Sequence, residues 1–207
     1  MKLSYAGAGV ALILAATLAA CGGKAQFSVQ GTIANLKNSG LVLANNGNTL
    51  NVPAGATSYA FPQQIDYGTS YNVTFQKQPD HMTCGFDSIN TGSAGQYTSI
   101  AVAISCSQNA YALTGQFTGL TPAADGTART ITLVNGSTGG ATITSTASGA
   151  GDFVISPSVP DGDAYGVTVL APPATPANGL TCTLTNGSGV MHESAIGNLI
   201  LTCVPTT

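Results

Sequence analysis

The chain has 207 residues but only five basic and eight acidic side chains, a formal net charge of −3. Charged residues are 6% of it, where an average soluble domain has about 25%. Past the first positions the cations are Lys24, Lys37, Lys77 and Arg129, too few and too scattered for the basic stripe that nucleic-acid binding needs. Solubility therefore rests on Asn, Ser, Thr, Gln and Gly. Sheet edges go without the lysines that ordinarily deter edge-to-edge pairing.

The chain opens with Met1-Lys2, a minimal positive segment, and from Tyr5 to Ala16 it is almost wholly apolar, broken by Gly7 and Gly9. This run is roughly half of the ~20 residues that span a bilayer as a helix, and it suits the apolar region of a signal peptide. Leu18-Ala19-Ala20-Cys21-Gly22 follows, and it resembles the lipobox of bacterial lipoproteins. The resemblance implies a signal peptide over 1–20, cleavage before Cys21, a diacylglycerol thioether on that thiol and an acylated new amino group. Residues 21–26 then form a lipidated tether. Several acyl chains, at ~0.8 kcal/mol per buried methylene, exceed what stable anchoring to membrane lipid requires. In such lipoproteins an Asp after the cysteine retains the protein at the inner membrane. Gly22 stands there, which implies the outer membrane of the cell envelope.

Beyond the tether the sequence is read twice. Phe27, Val29, Gly31 and Ile33 alternate with polar residues, and Tyr111, Leu113, Gly115 and Phe117 do the same. Leu41-Val42-Leu43-Ala44-Asn45-Asn46-Gly47 has its counterpart in Ile131-Thr132-Leu133-Val134-Asn135-Gly136, and Gly68, Tyr71 and Val73 in Gly162, Tyr165 and Val167. Each copy ends on a Thr-Cys pair, at Thr83-Cys84 or Thr181-Cys182, and an alternating strand closing on Cys106 or Cys203. Landmarks repeated in one order indicate duplication. Nearly every segment has period 2, and none past the leader sustains the helical period. Asn45-Asn46-Gly47 is the best hairpin signal.

These patterns predict an all-β chain of two tandem small antiparallel β-sandwich, immunoglobulin-like domains, each with one internal disulfide. The expected bounds are 27–106 and 111–203, with a connector at 107–110 and a tail at 204–207. An exported chain meets an oxidising compartment, and the four cysteines past Cys21 fall one pair to a repeat, so Cys84 is expected to bridge Cys106 and Cys182 to bridge Cys203. Cys106 and Cys203 keep the parity of the apolar residues before them and should point inward.

Gly40-Leu41-Val42-Leu43, Gln78-Pro79, Thr83-Cys84 and the closing cysteines resemble a Cys-paired immunoglobulin-like repeat found in tandem in envelope and secreted proteins of Gram-negative bacteria. The likeness covers nearly all of residues 27–203, departing in the Gly-rich stretch Ser137-Thr138-Gly139-Gly140. It implies a structural or binding module and brings no catalytic site.

The candidate chemistry is sparse. His81 and His192 do not occupy matching places in the two copies, so both are expected as solvated loop residues. Asp80 and His81 with a serine assemble a triad only on paper, because no supporting groups are evident. Asp161-Gly162-Asp163 offers carboxylates that calcium would accept, but Asp and Gly also favour turns. Tyr71, Tyr111 and Tyr165 stand at core parity, whereas Tyr67 and Tyr97 lie near loops and are the better contact candidates. The expectation is thus a non-catalytic envelope lipoprotein with no cofactor, no bound metal and no nucleic-acid partner, contacting an envelope protein or glycan. The alternatives are a loop-based metal-dependent binder or hydrolase, and an adhesin-like binder of carbohydrate or protein.

Overall fold

The computed structural model describes residues 24–170 and 179–206, so the leader, Cys21 and Gly22 lie outside the described residues. The first half is built from β1 (Gln26–Phe27), β2 (Val29–Ala34), β3 (Val42–Asn45), β4 (Asn48–Asn51), β5 (Ser58–Ala60), β6 (Ile65–Asp66), β7 (Ser70–Lys77), β8 (Met82–Phe86), β9 (Thr91–Ser93), β10 (Ile100–Ala101) and β11 (Ile104–Gln108). The second half holds β12 (Ala110–Thr118), β13 (Thr130–Asn135), β14 (Gly139–Thr144), β15 (Gly151–Pro160), β16 (Ala164–Val169), β17 (Leu180–Thr185), β18 (Ser188–Val190) and β19 (Ile196–Pro205). No helix occurs among the described residues. The all-β expectation holds.

Two-residue periodicity does the sorting. On β2, Val29 and Ile33 are buried while Gln30 and Thr32 face out or lie half-buried, and on β7 Tyr71 and Val73 are buried between exposed Asn72 and Thr74. The strands of the first half fall into two layers, β10-β2-β11-β8 with β5 on β2, and β4-β3-β7-β9. Both layers feed one cluster of buried side chains, among them Val29, Ile33 and Ile104 from one and Leu43, Tyr71 and Val73 from the other. The second half repeats the order as β17-β19-β12-β15 and β14-β13-β16-β18, joined where Gly140 meets Ser156, around a separate cluster. β3 and β4 turn on Asn46 and Gly47, whose φ of 48° and 85° suit a type I′ hairpin.

Three expectations need correction. The sheets are not purely antiparallel: β2 runs parallel to β10 and β11, and β12 parallel to β19. With first and last strands parallel, the chain enters each repeat at one end and leaves at the other. Next, the closing strand of the first repeat is broken. Val102 folds its carbonyl in over Gly31 and donates its N–H to the Gln30 carbonyl, separating β10 from β11. Last, β11 continues through Gln108 and β12 starts at Ala110, so only Asn109 of the expected connector lies between strands, and β19 extends to Pro205.

Both disulfides form, and each joins residues directly opposite on neighbouring strands: Cys84–Cys106 between β8 and β11, and Cys182–Cys203 between β17 and β19. Cys106 and Cys203 point inward as their parity requires.

The duplication extends to single atoms. Gly31 and Gly115 each let a carbonyl of the closing strand, that of Val102 or Leu199, occupy the place of a side chain. Tyr71 lies over Gly92 and Tyr165 over Gly189, the glycines opposite them on the paired strands. Asn45 and Asn135, both buried, accept the N–H of Asn72 at 3.0 Å and of Gly166 at 2.8 Å through their side-chain carbonyls. Removing such an acceptor strands a part-buried N–H. Asn45→Ala and Asn135→Ala are each expected to cost about 1–3 kcal/mol in chemical denaturation, whereas exposed Asn51→Ala should change little.

Candidate functional site

The closest gathering of ionisable side chains lies where the two repeats meet. Asn109 is held from both sides. Its N–H donates to the His81 carbonyl at 3.0 Å, its carbonyl accepts the Asp161 N–H at 2.9 Å, and its side-chain oxygen accepts the Thr83 hydroxyl at 2.8 Å. Gln108 donates its side-chain amide to the Asp161 carbonyl at 2.8 Å. A single residue between strands, bonded on both flanks, sets the end of one repeat against the start of the next.

Asp161 is at the centre, 2% exposed. Its Oδ1 accepts the backbone N–H of Glu193 at 3.0 Å, and its Oδ2 lies 3.2 Å from His81 Nδ1. The imidazole nitrogen is poorly aligned for a hydrogen bond, so that second contact is electrostatic. The Glu193 N–H holds the Asp161 carboxyl below the usual aspartate range against the opposing effect of burial, and His81 then His192 lower it further. The His81 and His192 rings stand edge to face with centroids 6.3 Å apart. Gly162, at φ +86°, leaves room for His81: a Cβ there would come within 3.3 Å of the ring. Lys37, Asn38 and Asp163 complete the rim of an open recess of about 470 Å³.

The expectation of two unrelated solvated histidines is therefore corrected. His81 belongs to the exit end of the first repeat and His192 to the entry end of the second, so a contact between repeats requires places that do not match. Asp80 takes no part, since its carboxylate meets Lys77 at 3.3 Å and the Ser39 hydroxyl on the outer surface. Among the described residues no hydroxyl bonds to either imidazole, and no three His, Cys, Asp or Glu side chains converge as metal ligands. The arrangement joins two bodies; it presents no activated nucleophile.

Because the Asp161 carboxyl is depressed, its contribution is present above the unfolded aspartate value, near pH 4, and is lost as pH falls through the folded value. The groups around it are His81, His192, Glu193, Asp163 and Lys37. Thermal melts should show wild type above Asp161→Asn at neutral pH and the two converging in acid.

No protein-family model and no curated protein matches the chain. Among solved structures it is similar to the TIE protein of Bacillus anthracis, with a TM-score of 0.50 and 15% identity over 87% of this chain and 34% of that one. The chain thus spans about a third of the length of that protein, and the likeness is one of fold. It also aligns with the major pilin of Streptococcus pyogenes (TM-score 0.30, 11% identity, 87% of this chain and 99% of that one). A third is the shaft pilin SpaA of Lactobacillus rhamnosus GG, studied as a double mutant (TM-score 0.25, 10% identity, 88% and 99%).

Proposed function

We propose that the chain is a lipid-anchored lipoprotein of the bacterial envelope, held in the outer membrane through Cys21, whose two immunoglobulin-like domains form a non-catalytic structural or binding module. One observation carries the reading. Each repeat takes the chain in at one end and releases it at the other, and the junction is locked by Asn109, His81 and Asp161. Chain direction and a locked joint are what a spacer between a membrane and a distal partner needs. The disulfides support it, since they suit an oxidising compartment.

The module stands on mass spectrometry and a pull-down. The native product should begin at Cys21 and carry acyl mass, and lipidated protein should retain an envelope protein or glycan that the Asp161→Ala chain, with its joint loosened, retains less well. An uncut leader or an unmodified thiol would remove the anchor. Turnover of any envelope substrate that is lost in His81→Ala and His192→Ala would remove the non-catalytic part.

A further inference from the structure

We propose that the entry end of the first repeat is a lipid-contacting face, with Tyr67 and Tyr97 lying among the headgroups of the membrane that holds the anchor. The inference rests on Cys21 being acylated, and adds to that reading the surface by which the folded part meets the bilayer.

The two repeats expose equivalent ends, and backbone bonds fix the equivalence. The Tyr67 N–H donates to the Ala25 carbonyl where the Asp161 N–H donates to Asn109, and the Gly68 N–H to Ala94 where the Gly162 N–H donates to Met191. Tyr67 thus stands in the place of Asp161, and Gly95 in the place of His192. In the second repeat this end is covered by the first, and Asp161 is buried against His81. In the first repeat the same end is bare. Tyr67 is 67% exposed and Tyr97 64% exposed.

Tyr67 is exposed but not loose. Its ring fills the place a side chain at Gly95 would take, and it leans on Phe27 with centroids 6.4 Å apart. Tyr97 follows in the same loop, which leads into Ile100 opposite Val29. Segments 24–28, 61–69 and 93–99 make up this end, and besides the tyrosines their ionisable groups are Lys24 and Asp66. Opposite in sign, they leave it nearly neutral.

Chain length selects the occupant. Three residues separate Cys21 from Lys24, and fully extended they reach only ~10 Å. An acyl chain on Cys21 therefore brings this end to the bilayer surface. Tyrosine, with an apolar ring and a polar tip, is the residue that favours such an interface.

The chain contains no tryptophan, so single reporters are free of background. Lipidated Tyr67→Trp, Tyr97→Trp and Val204→Trp proteins would each be reconstituted in phosphatidylethanolamine–phosphatidylglycerol vesicles carrying brominated acyl chains, with flotation verifying attachment. Val204 is exposed near the exit end of the second repeat. The proposal expects blue-shifted, quenched emission at 67 and 97 and unquenched emission at 204. Attached protein in which all three reporters match in intensity and wavelength would overturn the lipid-contacting face while leaving the anchor standing. Protein that neither floats nor carries acyl mass would overturn the anchor and, with it, this face. Sedimentation of the unlipidated chain as a dimer that Tyr67→Ser/Tyr97→Ser dissolves would give the face to a second copy instead.

Discussion

The Cys182→Ala/Cys203→Ala variant is expected to melt more than ~10 °C below wild type, with the loss confined to the second repeat. The bridge closes an interval of 21 residues, and in the chain-entropy model a loop of that length contributes on the order of 3 kcal/mol. For a domain of 60–100 residues each kcal/mol moves the midpoint by roughly 4–8 °C. Cys203 is also buried among Leu113, Leu199 and Leu201, so alanine leaves unfilled space that the entropy model does not count. The Cys84→Ala/Cys106→Ala variant, with an interval of 22, should do the same to the first repeat. Calorimetry is the check. The two clusters share no buried residue, so each variant should displace its own transition. If both displaced one common transition equally, the junction would couple the halves into a single unfolding unit.

Much of this was legible from residue order alone. Alternation at Val29, Gly31 and Ile33, the Asn46-Gly47 turn and the parity of Cys106 and Cys203 act through neighbours close in the chain, where side-chain direction follows from counting by two. Strand direction is not written that way. Nothing local says whether β2 lies parallel or antiparallel to β11, because that choice is settled by where the chain has to leave the repeat. The break at Val102 was hidden for a similar reason. Its cause is Gly31, about seventy positions earlier, and a glycine in an alternating strand reads as a bulge or a close approach without naming what approaches.

The junction was the least legible part. Matching the copies to each other shows what they share, whereas a joint between them is made of what they do not share. One signal was present: Asp161 stands where the first copy has Tyr67. A carboxylate and an aromatic ring at equivalent turns are meant for different surroundings. The first is buried against another repeat, and the second is left exposed at the tether.

Gly31→Ala is expected to destabilise the first repeat by about 3 kcal/mol or more, at the upper end of what overpacking costs. Gly31 has no positive φ, so the conformational argument alone points the other way: alanine in a strand restricts the unfolded chain and should stabilise it. Space decides. The new Cβ would sit 1.8 Å from the Val102 carbonyl oxygen, 2.6 Å from its carbon and 2.9 Å from the Tyr59 ring. None of these can step aside cheaply. The Val102 oxygen accepts the Tyr59 hydroxyl at 3.1 Å, a phenol that burial keeps neutral, and the Val102 N–H is tied to Gln30 at 2.9 Å. The β10–β11 turn would have to lift off β2, carrying Ile100, Val102 and Ile104 out of the core. Gly85 and Gly166 supply the contrast, since a Cβ at either meets nothing within 4 Å and neither has a positive φ. There only the unfolded-chain term operates, and Gly85→Ala and Gly166→Ala should each stabilise by about 0.4–1 kcal/mol. Denaturant midpoints of the three variants would thus move in opposite directions for one chemical change. A Gly31→Ala midpoint at or above wild type would mean that Val102 does not hold its carbonyl against Gly31 in solution.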